Sequence, residues 1–264
     1  MFQYFGYGSN LNLISLKAKG VIPLDSEVGV LRGWKLKFNV KHWFRHEGGV
    51  GNIEPSNNPD DVVEGLLHEC KDEELSSLDA MEAKGVGYDR IEVLVETKNG
   101  FKNAFTYVGL PAFIDNSCLP TTRYLNILIQ GAEVSGLGTE YLNVLRNHPT
   151  HKMDDYPPFE FPSKPLTLFT TKTLAACPYL TAIAGAVFDM KGARKELESA
   201  ASLFGGKDTT LFHLKRHDSS NGSETLEHIR NDQIHPSGKQ YLNAYLHEYA
   251  REFVYVGRLV EEVI

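Results

Sequence analysis

Five of the twelve prolines of this 264-residue chain lie between Asn147 and Pro165. Proline fixes φ and removes a backbone donor, so this run disfavours helices and central strands and favours an extended connection. We therefore predict two domains, residues 1–150 and 165–264, joined by a proline-rich linker over 151–164. The 42% hydrophobic content is sufficient for sizeable cores.

Charge and cysteine usage exclude several classes of function. The net charge is −7 and basic residues form no run, so nucleic acid and anionic membranes are not expected partners. We find neither the roughly 18 apolar residues of a spanning helix nor a signal-like N-terminus, and we expect a cytoplasmic protein. Cys70, Cys118 and Cys177 are widely spaced, which indicates reduced thiols without a disulfide framework or a metal site.

The segment from Phe2 to Leu11 alternates large aromatic residues and breaks at Gly8. This pattern predicts a strand followed by a turn, in which glycine permits a positive φ and a close approach to a ligand. Ser9 or Asn10 then caps a short helix from Leu11 to Lys19, and the N–H groups of the turn suit an anionic or oxyanion-forming group. The alternative is an ordinary strand, turn and helix.

A second segment, Asp72 to Glu82, has the spacing of an amphipathic helix with Asp72 as its cap. Glu82 follows Leu75 and Leu78 on the apolar face, where partial desolvation would suit a carboxyl group that shuttles protons. In the alternative reading, Glu82 ends the helix and faces solvent.

Together these segments resemble the gamma-glutamylcyclotransferase family. The resemblance rests on three ordered blocks: Tyr7-Gly8-Ser9-Asn10; Leu78-Asp79 and Glu82 followed by Gly85 or Gly87 and Tyr88; and Tyr107 followed by a helix that Pro120 to Leu125 opens. Each block is weak by itself, and their combination is specific.

The resemblance implies a transferase that cleaves a gamma-glutamyl amide. The substrate's alpha-amine attacks its own gamma-carbonyl and releases 5-oxoproline, with Glu82 as acid and base and with no cofactor. The implied substrate-binding residues are Tyr4, Phe5, Gly6, Tyr7, Gly8, Ser9, Asn10, Leu11 and Tyr124. The leaving group stays open between an amino acid, an amine, the remainder of glutathione and an antibiotic precursor. The alternative function is a non-catalytic small-ligand sensor that the C-terminal domain regulates.

The predicted fold class is α+β. Strands over 34–40, 62–70, 88–97 and 103–108 alternate with helices near 72–82, 121–134 and 139–147, which indicates a small mixed sheet closing toward a barrel. An aromatic and basic cluster precedes the second of these strands: Trp34, His42, Trp43, Phe44, Arg45 and His46. Either Arg45 or His46 receives a substrate carboxylate, or the cluster covers the rim of the sheet.

The C-terminal part resembles the cytochrome-b5-like haem/steroid-binding domain of the membrane-associated progesterone receptor form. The matching segments are a strand over Ala182 to Asp189, a turn over Phe204 to Thr210 and a closing Val256-Gly-Arg-Leu259. This resemblance implies a small α+β domain for a sterol-like or other small ligand.

Haem is not expected in that domain by either ligation known for the family. The chain lacks the His-Pro-Gly-Gly motif, has Lys195 and Ala201 where the receptor form places tyrosines, and has Phe253 at the distal site. We predict that the nearby His213 and His217 are surface residues. Because the chain has exposed aromatic residues, a dimer is also compatible with the sequence.

Overall fold

The computed structural model describes residues 1–163 and 167–260. The chain divides into two compact units, Met1–Met153 and Asp154–Ile264. Within the described residues, no helix combines the length and apolar character that a membrane crossing requires.

The first unit contains seven strands and four α-helices among its described residues. The strands are β1 (Phe2–Gly6), β2 (Asp25–Arg32), β3 (Trp34–Lys41), β4 (Gly49–Pro55), β5 (Val62–Cys70), β6 (Tyr88–Thr97) and β7 (Gly100–Gly109). The helices are α1 (Leu13–Ala18), α2 (Leu75–Met81), α3 (Thr122–Ser135) and α4 (Thr139–Arg146), with 3₁₀ turns at Ser9–Leu11, Arg45–Glu47, Asp72–Glu74 and Pro111–Phe113.

Five of these strands close into a barrel in the order β1-β5-β2-β6-β7, and β3 pairs with β4 in a separate hairpin. The β1–β7 contact is parallel, at Tyr4 opposite Phe105, and the other barrel pairings are antiparallel. A fully buried cluster that includes Phe5, Val63 and Val95 joins neighbouring barrel strands. The predicted small mixed barrel is thus confirmed.

The local details of the first unit differ from expectation in three ways. Strands β2 and β4 were not predicted, because their glycines and charged residues weaken the alternation. Helix α1 begins later than expected and is capped by Asn12, whose Oδ1 accepts from Ile14 N at 2.9 Å, rather than by Ser9 or Asn10. Asp72 does not cap α2 but pairs with the terminal ammonium at 2.7 Å.

The second unit is a five-stranded sheet with helices. Its strands are β8 (Thr167–Phe169), β9 (Leu180–Ile183), β10 (Ala186–Asp189), β11 (Lys207–Asp208) and β12 (Val254–Leu259), in the order β11-β9-β10-β12-β8. Its helices are α5 (Thr171–Ala175), α6 (Glu198–Phe204), α7 (Thr210–Leu214), α8 (Leu226–Arg230) and α9 (Pro236–Glu252), with a 3₁₀ turn at Lys195–Leu197.

Two expectations for the second unit are wrong. The segment from Ala182 to Asp189 is a hairpin rather than one strand, because Ala184 and Gly185 adopt positive φ angles of 46° and 79° and reverse the chain. His213 and His217 are buried at 1% and 8% exposure, since both rings pack against tyrosines of α9.

Candidate functional site

The turn after β1 is a tight 3₁₀ turn in which Leu11 N donates to Gly8 O at 2.9 Å. Gly8 has φ of −104°, so the turn does not use the positive φ that glycine permits. What glycine provides here is space: a methyl group at Gly8 would lie 3.0 Å from the Tyr124 hydroxyl. The turn therefore brings its backbone against the first turn of α3.

Glu82 lies at the C-terminal end of α2 and its carboxylate faces the protein interior. Its N–H donates to Leu78 O at 3.0 Å, and Leu78 is fully buried, which anchors this end of the helix. The carboxylate is 13% exposed, and its Oε1 accepts from Asn10 Nδ2 at 3.0 Å and from Lys19 Nζ at 3.1 Å. Glu82 is thus held against the turn after β1, within an ion pair rather than alone on an apolar face.

Lys19 is a residue beside Glu82 that sequence reasoning missed. Its side chain is 7% exposed, and besides Glu82 its ammonium donates to Asn10 Oδ1 at 2.7 Å and to Ser9 Oγ at 3.4 Å. It follows α1 directly, and a lysine at the C-terminal end of a helix is normally expected to face solvent. The sequence offers no local signal for its inward direction.

Five tyrosines surround Glu82 and the turn in a narrow hollow of about 30 Å³. The lining consists of Tyr4, Tyr7, Gly8, Ser9, Asn10, Gly51, Glu82, Tyr88, Tyr107 and Tyr124. Tyr7 donates to Tyr107 O at 2.6 Å, and Tyr88 donates to Gly51 O at 2.7 Å. These bonds hold the tyrosine rings and the backbone of β4 around the carboxylate.

Burial keeps these phenols protonated. Desolvation raises the pKa of Tyr4, Tyr7 and Tyr88 well above the ordinary tyrosine value, and the nearby charge of Glu82 raises it further. The pKa of Tyr124 is also raised by burial, although its oxygen accepts N–H bonds from Gly51, at 2.9 Å, and from Ser9. Because two donors occupy the Tyr124 oxygen, its own hydroxyl hydrogen is the group that it offers to a further acceptor.

The structure brings most of the predicted site residues together, namely Tyr4, Tyr7, Gly8, Ser9, Asn10, Glu82 and Tyr124. Phe5, Gly6 and Leu11 do not line the hollow. Phe5 points into the barrel core, Gly6 lies against the His68 ring, and the Leu11 side chain packs in the core while its amide closes the turn.

The residues that line the hollow also differ from the sequence-based prediction in other ways. Tyr88 and Tyr107 belong to the motif blocks but were not expected in the site, and Gly51 had no signal beyond being a glycine. Among the described residues, the lining includes none of the aromatic and basic cluster. Trp34 instead borders a separate hollow of about 350 Å³ with Phe38 and Tyr141. The described residues contain no group of three potential metal ligands.

Comparisons with known proteins agree on one family. The AIG2-like family model matches residues 62–145. A gamma-glutamylcyclotransferase of Bos taurus is 31% identical over 150 residues, 55% of this chain and 78% of the relative, and that of Homo sapiens is 30% identical over 55% and 77%.

Two solved structures are similar to the same part of the chain. One, a gamma-glutamyl cyclotransferase, is 28% identical with a TM-score of 0.50 and covers 57% of this chain and 89% of its own. The other, a human protein described as uncharacterized, is 28% identical with a TM-score of 0.51 over 58% and 90%.

Proposed function

Because the chain belongs to the gamma-glutamylcyclotransferase family, we propose that its first unit cleaves a gamma-glutamyl amide into 5-oxoproline and a free amine or amino acid, with Glu82 as the acid and base. The observation that carries the proposal is the partly buried Glu82 carboxylate, held in a tyrosine-lined hollow beside the Ser9–Asn10 turn. The leaving amine stays open among the classes considered above.

Glu82 serves twice in this reaction. The substrate's alpha-ammonium loses a proton to the Glu82 carboxylate, and the free amine attacks the gamma-carbonyl carbon to form the ring C–N bond. The tetrahedral intermediate then collapses, the bond to the leaving nitrogen breaks, and that nitrogen takes the first proton back from Glu82. The second proton of the former ammonium passes through the same carboxylate to the departing amine, so the ring nitrogen becomes a neutral lactam N–H and Glu82 is again ionised. The nucleophile belongs to the substrate, so the protein supplies position and proton transfer.

We assign hydrogen-bond donors near the turn to stabilise the negative oxygen of the tetrahedral intermediate. The Tyr124 hydroxyl is oriented by N–H groups of Ser9 and Gly51, which supports it as a donor to that oxygen alongside the backbone of the turn. A positioned donor of this kind contributes roughly 3 to 4 kcal/mol to transition-state stabilisation.

Substrate binding requires the hollow to widen. Its volume of about 30 Å³ accommodates about one or two water molecules, far less than a gamma-glutamyl group. Tyr88 and Tyr124 hold the Gly51 backbone through its oxygen and its N–H. The bond from Tyr88 to the Gly51 oxygen, rather than the Gly51 N–H bond that orients Tyr124, is the one that opening is expected to break.

Replacing Glu82 tests the proposal directly. We expect Glu82→Gln to lower the rate of 5-oxoproline release by at least about 100-fold, because the amide keeps the shape but accepts no proton. The assay is 5-oxoproline formation from a panel of gamma-glutamyl amino acids, gamma-glutamyl amines and glutathione, with circular dichroism as the check on folding. Glu73→Gln, on the exposed start of the same segment, is the control.

Two results would count against this assignment. A Glu82→Gln protein that keeps a tenth of the wild-type rate would remove Glu82 from proton transfer. A folded wild-type protein that is inactive across the whole panel would favour the non-catalytic binding function.

For the C-terminal part we propose a cytochrome-b5-like domain that takes a sterol-like or other small ligand. The β9–β10 hairpin and the closing strand β12, which pair with each other, carry the segments of the resemblance. Lys195 and Ala201 supply no phenol, so haem bound through tyrosines does not fit these residues.

A further inference from the structure

A closed triangle of hydrogen bonds links Lys19, Asn10 and Glu82. Its sides are Lys19 Nζ to Asn10 Oδ1 at 2.7 Å, Asn10 Nδ2 to Glu82 Oε1 at 3.0 Å, and Lys19 Nζ to Glu82 Oε1 at 3.1 Å. Asn10 also donates to the Tyr4 hydroxyl at 2.5 Å. Because both bonds to Glu82 end on Oε1, the triangle restrains one carboxylate oxygen from two directions.

We propose that Lys19 is a positioning residue of the cyclotransferase site, whose buried ammonium fixes the Glu82 carboxylate at a set distance from the Ser9–Asn10 turn. This inference rests on the proposed function of Glu82. In this arrangement Oε1 belongs to the triangle, and Oε2 is the oxygen that we assign to proton exchange with the substrate.

The three elements that meet at Lys19 explain why such a residue is needed. The turn follows β1, Lys19 follows α1, and Glu82 follows α2, so the base and the donors of the turn come from distant parts of the chain. A shift of about 1 Å between reacting groups costs about 100-fold in rate. A lysine that donates both to the turn and to Glu82 fixes the distance between the carboxylate and the turn.

The ammonium suits this position better than a guanidinium. The Lys19 nitrogen donates to Asn10 Oδ1, Glu82 Oε1 and Ser9 Oγ, and an ammonium carries its donors on a single atom. The planar guanidinium of arginine spreads its donors over several nitrogens. Lys19→Arg therefore keeps the positive charge but changes the directions of the hydrogen bonds.

The neighbours of Glu82 do not replace the charge of Lys19. Tyr4 and Tyr7 near β1, Tyr88 of β6, Tyr107 of β7 and Tyr124 of α3 are neutral, because burial raises their pKa values. The other charged residues near Tyr107 pair among themselves: Arg90 with Asp79 at 2.9 Å, and Lys84 with the same carboxylate at 3.7 Å.

The test compares Lys19→Met and Lys19→Arg with the control Lys17→Met, an exposed lysine of the same helix. We expect Lys19→Met to lower kcat about 100-fold with little change in KM and to move the acidic limb of the pH–rate profile to higher pH. Lys19→Arg should restore the acidic limb but keep a lower kcat, and Lys17→Met should match the wild type.

A second readout does not depend on turnover. The carboxyl ¹³C resonance of Glu82, measured at one fixed pH, should move in Lys19→Met, where the contact with the ammonium is lost, and lie nearer its wild-type position in Lys19→Arg. An inactive wild type would refute the proposed function, while this chemical shift would still decide whether Lys19 contacts Glu82 in solution.

Three outcomes would overturn the proposal: an unchanged Glu82 carboxyl resonance in folded Lys19→Met, a loss confined to KM, and wild-type kcat in either Lys19 variant. If Lys19→Met does not fold, Lys19→Arg decides the matter, because its expected signature is a lower kcat with an unchanged acidic limb.

Discussion

Asp79 shows how a residue outside the hollow sets the position of side chains inside it. Its Oδ1 accepts from the Tyr107 hydroxyl at 2.7 Å, and both of its oxygens accept from Arg90 at 2.9 Å. The Tyr107 carbonyl in turn accepts from Tyr7. Asp79 therefore connects an ion pair at the edge of the site to two tyrosines of its lining.

At this scale we predict that Asp79→Asn lowers kcat/KM about tenfold. The amide has about the same shape as the carboxylate, but charged hydrogen bonds to Tyr107 and Arg90 are lost, and such bonds contribute about 1.5 to 3 kcal/mol each. The measurement is 5-oxoproline release, with the exposed Asp89→Asn as control.

A double-mutant cycle with Tyr107→Phe separates this effect from a general loss of stability. If Asp79 acts through the Tyr107 hydroxyl, the double variant loses less than the sum of the two single losses. Additive losses would show that the two residues act independently.

At the scale of elements, α3 supports the turn after β1 through a backbone contact. A methyl group built on Gly131 would lie 2.5 Å from the Leu11 carbonyl carbon and 2.6 Å from Asn12 N. Tyr124, Leu125 and Leu128 of the same helix are buried beside it. Glycine at this position allows the helix and the turn to meet without an intervening side chain.

We therefore predict that Gly131→Ala destabilises the first unit by about 1 to 3 kcal/mol and lowers its activity, because the methyl group forces the helix away from the turn. At a solvent-exposed position in a helix, replacing glycine with alanine is stabilising by up to about 1 kcal/mol. The sign of the change in the free energy of unfolding therefore shows whether the methyl group meets the turn. Thermal unfolding measures it, with Val134→Ala, 88% exposed on α3, as control. Unchanged stability would mean that α3 does not restrain the turn.

At the scale of the whole molecule, the stability of the first unit should depend on one buried histidine. His68 of β5 is fully buried, with Nε2 3.1 Å from Asn10 O and Nδ1 2.8 Å from Ser26 Oγ. Since a carbonyl only accepts, Nε2 carries the hydrogen and Nδ1 accepts from the hydroxyl of Ser26. Burial lowers the pKa of His68 to about 4.

The sign of the pH dependence follows from that shift. Between about pH 6.5 and about pH 4 the unfolded chain protonates His68 and the folded unit does not. The contribution is complete above about pH 6.5 and is lost as the pH falls toward about 4. We predict that it amounts to about 3 kcal/mol in the free energy of unfolding and is missing in His68→Gln.

Tryptophan fluorescence during urea unfolding, at a series of pH values, follows this unit specifically, because both tryptophans of the chain, Trp34 and Trp43, lie within Met1–Met153. His148→Gln in the same unit is the control. Equal pH dependence in the wild type and in His68→Gln would contradict the assignment.

Much of the first unit and part of its site were predictable from local sequence. The aromatic alternation of β1 and the apolar periodicity of α3 are patterns within single segments, and β6 was predicted with its observed bounds. The motif residues Tyr7 to Asn10 and Glu82 were recognisable because each block is a short run of neighbours. Strand β4 was not predicted, because a Gly-Val-Gly-Asn run has little strand propensity by itself.

The sequence by itself determined most of the strands and helices of the first unit, and which short motifs carry polar groups, because these properties depend on residues a few positions apart. Only the tertiary structure decided that Lys19 turns inward to Glu82, that the Gly51 N–H donates to Tyr124, and that the side chains of Phe5 and Leu11 pack in the core. The reason is that α2 and the β3–β4 hairpin pack against the barrel, which brings β1, α2 and β4 together from distant parts of the chain, and such contacts leave no periodic trace in any one segment.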